Sequence, residues 1–356
     1  MTLTPRTIAG TNVGPVGFGW MNLNQAYGPL PSREDAAKLL LHALDEGVTH
    51  FDTATIYGAT ANEILLGETL ASRRGEFFLA SKGGMSSAEG RRVIDGRPET
   101  LRAHVDASLR RLRTDRIDLY YLHRWDRTVP IEESVGALGG LVREGKIGAV
   151  GLSEIGTDVL RRGHAEYPIA ALQSEYSPWT RNPELGTLEA CRELGIAFVA
   201  FSPVGRGAFG GVLRDPSGLP DWDLRRSMPR FDAEHWPANL ALLDLFGALA
   251  DDAGCSPAQL AIAWVLSRGE HVIALPGTRS SAHLNEDFAA GSLELSADVL
   301  ARRRARQRGN GCRRALLGCR AGRRGHRGVP GLLAPHWRVV HIGPRADADA
   351  RRRCLG

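Results

Sequence analysis

Eight short apolar or β-prone runs alternate with helical stretches through the first 300 of the chain's 356 residues, and few folds accommodate that alternation. The strand candidates are PVGFGW (15–20), VTHFD (48–52), FFLAS (77–81), IDLYYLH (117–123), IGAVGLS (147–153), IAALQSEY (169–176), IAFVAFSP (196–203) and HVIALPG (271–277). Between them, residues 32–47, 61–72, 98–112, 131–145, 157–165, 184–195, 238–254 and 256–269 show helical spacing of apolar positions. Ser32 with Asp35 three residues on reads as a helix start, Gly47 as a helix end, and Pro98 as a first-turn residue. Eight strand–helix steps predict an α/β fold, a single (β/α)8 TIM barrel over residues 1–300. A doubly wound sheet would need fewer strands and a glycine fingerprint opening a helix after the first of them. GTNVGPVGFG opens none.

Three successive strand candidates end in ionisable side chains. Asp52 and Tyr57 follow the second, Lys82 the third and His123 the fourth. Taken singly, Asp52 reads equally well as a turn cap, Tyr57 as a rim aromatic, Lys82 as a solvated strand end and His123 as a core-edge imidazole. Their recurrence after successive strands changes the reading, because the C-terminal ends of barrel strands converge on one site. A phenol is a weak acid near neutral pH, and a neighbouring ammonium makes its proton easier to lose. Lys82 suits that task. It is one of three lysines in a chain with 42 arginines, where a compact point charge is the exception. Asp52 would fix Lys82 by pairing with it, and His123 would donate to a carbonyl oxygen. The stretch IALPGTRSSAHLNED (273–287) reads as a phosphate-holding turn.

The segments FDTATIYG, KGG, YYLHR, IGAVGLSE, LQSEYSPWTR, IAFVAFSPVGRG, RSMPRF, GCSPAQLAIAWVL and LPGTRSSAHLNED together resemble the aldo-keto reductase superfamily, in its bacterial NADPH-dependent branch, over about residues 5–299. The resemblance implies an enzyme that reduces aldehydes or ketones to alcohols by hydride transfer from NADPH. Its catalytic residues would be Asp52, Tyr57, Lys82 and His123, with Tyr57 giving the proton. It implies carboxamide contacts at Ser153 and Gln173, an aromatic stacked on the nicotinamide at Phe201, and a pyrophosphate cradle at Ser202, Pro203, Val204, Gly205 and Gly207. Gly277, Thr278 and Arg279 would approach the 2′-phosphate, with His283, Glu286 and Asp287 beyond them toward the adenine. Two positions depart from the family pattern. His283 stands where many members carry a second arginine, and Asp287 where an asparagine is usual. A carboxylate is less unfavourable beside a free ribose hydroxyl than beside a phosphate, so use of NADH beside NADPH is expected. Trp20, Trp125 and the 204–236 connection are expected to form an apolar carbonyl pocket. The alternative reading is a cofactor-binding regulatory subunit, like the family's potassium-channel β subunits.

The last 56 residues have another character: 16 arginines, no lysine and two acids, a charge of +14 against −9 for residues 1–300. They resemble no part of the family. Such an arm could neutralise nucleic-acid phosphates, but the adopted reading is a poorly packed extension, as GC-rich DNA read out of frame would give. Its C-x6-C pair, Cys312 and Cys319, has the wrong spacing for a usual zinc module, and no metal is expected. The N-terminal MTLTPRTIAG lacks the pattern of a signal peptide, and no run reaches the apolar length of a membrane span. A cytoplasmic protein, monomeric or homo-oligomeric, with no membrane or nucleic-acid partner, is therefore expected.

Overall fold

The computed structural model describes residues 3–24, 26–88 and 91–295. The arginine-rich segment and the boundary expected near residue 300 lie outside them. The chain opens with an antiparallel hairpin of β1 (Arg6–Ile8) and β2 (Thr11–Val13). There follow β3 (Phe18–Gly19), α1 (Arg33–Asp45), β4 (His50–Asp52), α2 (Ala61–Leu70) and β5 (Phe78–Gly83). A second antiparallel hairpin, β6 (Met85–Ala88) with β7 (Arg91–Ile94), precedes α3 (Pro98–Leu112). Then come β8 (Leu119–Leu122), α4 (Ile131–Arg143), β9 (Val150–Ser153), α5 (Thr157–Glu166), β10 (Ile169–Glu175), α6 (Thr187–Leu194) and β11 (Ala197–Phe201). The chain then runs through α7 (Trp236–Asp252), α8 (Pro257–Leu266), β12 (Val272–Leu275) and α9 (Ser281–Ala289).

Eight strands form one parallel sheet in the order β12-β11-β10-β9-β8-β5-β4-β3. It closes where Val16 bridges Ala274: Gly17 N donates to Ala274 O, Ala274 N to Pro15 O and Gly19 N to Pro276 O, each at 2.9 Å. The expected (β/α)8 barrel is therefore the observed fold.

Strand periodicity decides what each face holds. Phe51, Leu79, Tyr120, Leu122, Val150, Leu152, Phe198 and Ala200 point outward into the large cluster shared with the helices. Phe78, Ala80, Leu119, Tyr121, Ala171, Ala197, Val199, Ile273 and Leu275 point inward and fill the barrel. Ile8 and Val13 of the first hairpin join this inner cluster and plug the barrel's N-terminal end. Apolar groups on both faces explain why these strands read as continuous apolar runs.

Local signals also behave as expected. Ser32 Oγ accepts the Asp35 N–H at 3.1 Å and starts α1. Ser256 and Gln259 satisfy each other's backbone N–H groups at the start of α8. Helix ends fall within three residues of the expected bounds, α3 matching at both ends and α7 lying two residues earlier than expected. The structure adds the β6–β7 hairpin, which no sequence periodicity predicts, and divides 204–236 into short 3-10 turns.

Candidate active site

The inward parity of the strands gathers the candidate residues. Side chains two apart share a face. His50 and Asp52 in β4 therefore face inward together, as do Ala80 and Lys82 in β5. Register sets Ala80 beside Asp52 and Lys82 beside Tyr121. By the same alternation His123, Ser153, Gln173 and Phe201 continue the inward rows of β8 to β11. Six residues from six strands thus meet above the apolar plug, at the C-terminal end of the barrel.

Lys82 is the centre of this group and is 1% exposed. Its ammonium is ion-paired with Asp52 and donates to Thr53 O at 2.9 Å. It also donates to the Tyr57 hydroxyl at 3.4 Å. The second Asp52 oxygen accepts from Gln173 Nε2 at 2.8 Å. Burial alone would lower the Lys82 pKa, but Asp52, and then Tyr57, outweigh it, so the net shift is upward and the ammonium stays charged. Tyr57 is carried on a turn, Tyr57–Thr60, directly after β4. Its ring meets His123 edge-on, with centroids 5.7 Å apart. His123 is held well below the ordinary imidazole pKa, first by burial and then by Arg124, Lys82 and Arg92. It is neutral at physiological pH, and its Nδ1 has no hydrogen-bond partner within the protein.

A cleft of about 760 Å³ runs outward from this group. Asp52, Tyr57, His123, Ser153, Gln173, Phe201, Ser202, Pro203, Val204 and Gly207 line it, as do Gly277, Thr278, Arg279 and His283. Lys82 lies beneath the floor behind Asp52 and Tyr57. Gly205 sits within the loop rather than on the cleft wall, its α-carbon face turned to Phe209. Glu286 and Asp287 are not in the lining. Asp287 is buried in α9 and its carboxyl is pushed up to about 8, first by burial and then by Glu286.

The backbone around the cleft is strained. Among the described residues, eight non-glycine residues have positive φ, and six of them (Ala26, Ala59, Thr60, Glu154, Ser202 and Arg206) lie in loops at this end of the barrel. Such strain gathers at functional sites. Gly207, at φ 85°, continues the left-handed stretch of the 202–207 loop. A Cβ at Gly277 would come within 2.3 Å of Gly19 O, so the turns after β12 and β3 can approach only with glycine there.

Other groups at the cleft escaped the sequence reading. Arg124 lines it and donates through Nη1 to His123 O at 2.6 Å and Ser153 Oγ at 3.0 Å. Its one signal was its place after His123 in YYLHR. The β6–β7 hairpin brings Met85 and Arg92 to the wall. Tyr27 accepts from Arg206 Nη1 at 2.8 Å, and Leu224 N donates to Ala26 O at 3.1 Å, so the loops after β3 and β11 meet across the cleft. Arg206 and Arg230 both pair with Glu175. The guanidinium of Arg279 donates to Pro29 O. The expected apolar pocket of Trp20 and Trp125 is corrected. Trp20 is fully buried against Phe18 and Phe51, and Trp125 packs on the outer core, its indole donating to Val129 O at 3.0 Å. Both rings are outward-packed, so neither lines the cleft.

A closed parallel barrel with a buried Asp–Lys pair, a phenol and a neutral imidazole at its C-terminal end defines a site equipped for proton transfer. Residues 15–306 match the model of the Aldo/keto reductase family, and the chain belongs to that family. It is 42% identical over 291 residues to Probable aldo-keto reductase 1 of Glycine max, covering 81% of this chain and 83% of that one. It is 39% identical over 303 residues to the aldo-keto reductase yakc of Schizosaccharomyces pombe, whose name carries NADP(+), covering 83% and 89%. Among solved structures, a glycerol dehydrogenase from Gluconobacter oxydans superposes with TM-score 0.79 at 27% identity, covering 94% of this chain and all of that one. An aldo/keto reductase from Klebsiella pneumoniae in complex with NADP and acetate gives 0.66 at 26%, covering 85% and 95%. The chain is an oxidoreductase of this family. Among the described residues, no helix is long and apolar enough to cross a membrane.

Proposed function

We propose that the enzyme reduces aldehydes or ketones to alcohols with NADPH, Tyr57 supplying the proton. The observation that carries this reading is the Lys82 ammonium, buried, paired with Asp52 and 3.4 Å from the Tyr57 hydroxyl. The cleft supports a dinucleotide: its volume lies within the usual range for ligand sites, and the 202–207 loop turns left-handed with glycine at 205 and 207. Asn22 Oδ1 is a buried acceptor without a partner near its edge. The names of a relative and of a solved neighbour bring NADP to the same reading.

Ser153 and Gln173 would hold the carboxamide, Phe201 the ring face, residues 202–207 the pyrophosphate and 277–279 the 2′-phosphate, with His283, Glu286 and Asp287 toward the adenine. When bound, NADPH supplies the hydride. The protein does the rest. The inner wall positions the carbonyl oxygen between Tyr57 and His123. Neutral His123 donates a hydrogen bond to that oxygen and orients it. Lys82 holds positive charge beside Tyr57, so the hydroxyl proton moves to the oxygen as negative charge develops there. Asp52 keeps Lys82 in place, and Gln173 keeps Asp52 in place. In the other direction the phenolate accepts the alcohol proton by the same path. NADH fits the same cradle without the contact to Arg279.

The test is absorbance of NADPH and NADH in the presence of a panel of aldehydes, ketones and quinones. NADPH oxidation with at least one aldehyde is expected. A well-folded protein that oxidises neither cofactor with any member of the panel would overturn the reading.

A further inference from the structure

The cleft has two cationic ends, and the cofactor accounts for one. Arg92, Arg124, Arg206, Arg225 and Arg279 line it. Arg206 is ion-paired with Glu175 and Arg225 with Asp223, so those two charges are already met. Arg279 stands at the outer turn read as the 2′-phosphate end. Arg124 and Arg92 belong to the other end, on the elements that follow β8 and β5, beside His123 and Tyr57.

Among the described residues, neither of these two has a carboxylate within ion-pair distance. The acceptors held by Arg124 are a backbone carbonyl and the Ser153 hydroxyl, both neutral. Glu154 attracts Arg124 from further away, while its own Oε1 takes the Glu175 N–H at 2.8 Å. Arg92 is exposed on β7, opposite Ser87 across the hairpin. The charges of both arginines are felt at the His123 imidazole. A part-buried guanidinium met only by neutral hydrogen-bond acceptors gains when an anion reaches it, and the exposed, hydrated guanidinium of Arg92 adds a second attraction from the rim. The guanidinium fork suits carboxylate and phosphate alike.

We propose that Arg92 and Arg124 form an anion subsite for the substrate, so that the preferred carbonyl compounds carry a carboxylate or phosphate a few atoms from the carbonyl carbon. The subsite rests on the carbonyl-reductase reading above. Arg124 is fixed by its two hydrogen bonds beside His123 and sets the distance from carbonyl to anion. Arg92 comes in on the hairpin and adds the second charge. Met85, also on the hairpin, gives the substrate body an apolar contact between them.

Three aldehydes on one ring test this: 4-methylbenzaldehyde, 4-carboxybenzaldehyde and 4-formylphenyl phosphate, each at saturating NADPH. At least one anionic aldehyde should exceed the neutral one about tenfold or more in kcat/KM, the scale of one charge-assisted contact. Whichever anion gains identifies the group. Raising salt from about 0.05 M to about 0.5 M should shrink the advantage, because screening shortens with ionic strength. Arg92→Gln and Arg124→Gln should each cut the anionic-to-neutral ratio several-fold, mainly through KM, and Arg92→Lys should keep most of it. A thermal melt checks that each variant is folded, and the exposed Arg92 pair remains informative if Arg124→Gln is not. Equal or poorer turnover of both anionic aldehydes, or a ratio that Arg92→Gln leaves untouched in an active enzyme, would overturn the subsite. NADPH consumption with none of the three would overturn the subsite, and the reductase reading falls with it only if the wider panel of aldehydes, ketones and quinones is also left untouched with both cofactors. Turnover of the neutral aldehyde without anion preference would overturn the subsite alone.

Discussion

The inner and outer ends of the cleft are built from different material. At the inner end Asp52, Lys82 and His123 are 2%, 1% and 5% exposed, and each sits on a strand or one residue past it. Sheet register fixes their spacing, and ion pair and hydrogen bonds fix their charges. At the outer end Arg279 and His283 are exposed, on a turn and on the first turns of α9. Loops hold them there, through contacts such as Arg279 to Pro29 O. The groups proposed to act on the reacting atoms are thus fixed and dry, whereas those proposed to choose the cofactor are wet and separable. Loss of the buried inner ion pair should damage rate and stability together, and changes to the exposed outer groups should alter selectivity alone.

Lys82→Met should break the inner end most severely. It removes the ammonium beside Tyr57 and leaves Asp52 buried with Gln173 alone. Reduction should fall about 10²–10⁴-fold, and stability by about 3–5 kcal/mol, the usual cost of orphaning a buried charge. Steady-state rates beside a denaturant melt measure both. A loss of rate at wild-type stability would mean that the pair is not held as tightly as its burial implies.

Arg279→Ala should act at the outer end alone. Loss of one charge-assisted contact to the 2′-phosphate should raise the NADPH KM by roughly 10–100-fold, about 1.5–3 kcal/mol. The NADH KM should move little, and the melt should hold. Equal effects on both cofactors would place the phosphate elsewhere.

A third effect concerns Asp287, which belongs to the outer helix yet is buried like an inner residue. Its folded pKa, pushed up to about 8, lies above the ordinary carboxyl value near 4. The protonated form is the one the fold prefers, so stability is lost as pH rises from about 4 through 8. Asp287→Asn should therefore raise the melting temperature, more at pH 9 than at pH 5, at roughly 2 °C per kcal/mol for a domain of this size. A pH-independent change in the melt would show that this carboxyl does not titrate in the fold as described.

The same division governs what could be read from the sequence. Asp52, Lys82 and His123 were legible because each closes one of three successive strands, whereas Ser153, Gln173 and Phe201 came only from the family resemblance; the structure sets all six on the inward parity of their strands. The barrel was legible because its strands are apolar on both faces. Loop-borne groups outside the family-like segments were not. The β6–β7 hairpin that brings in Arg92 has no repeating apolar pattern, and Tyr27 meets Arg206 across 179 residues of chain. Trp20 was misplaced because a ring at the end of a strand can point in or out, and the parity of β3 sends it into the outer core with Phe18 and Phe51.

The central claim is that the proton comes from the Tyr57 hydroxyl under the influence of Lys82. Tyr57→Phe removes one oxygen and nothing else, so its melt should match the wild type and NADPH binding should stay within about twofold. Aldehyde reduction across pH 6–9, measured as NADPH oxidation at saturating cofactor, is the direct test. A fall of about 10²-fold or more at every pH is predicted. Near wild-type reduction by a folded Tyr57→Phe enzyme would contradict the claim and leave His123 as the proton donor.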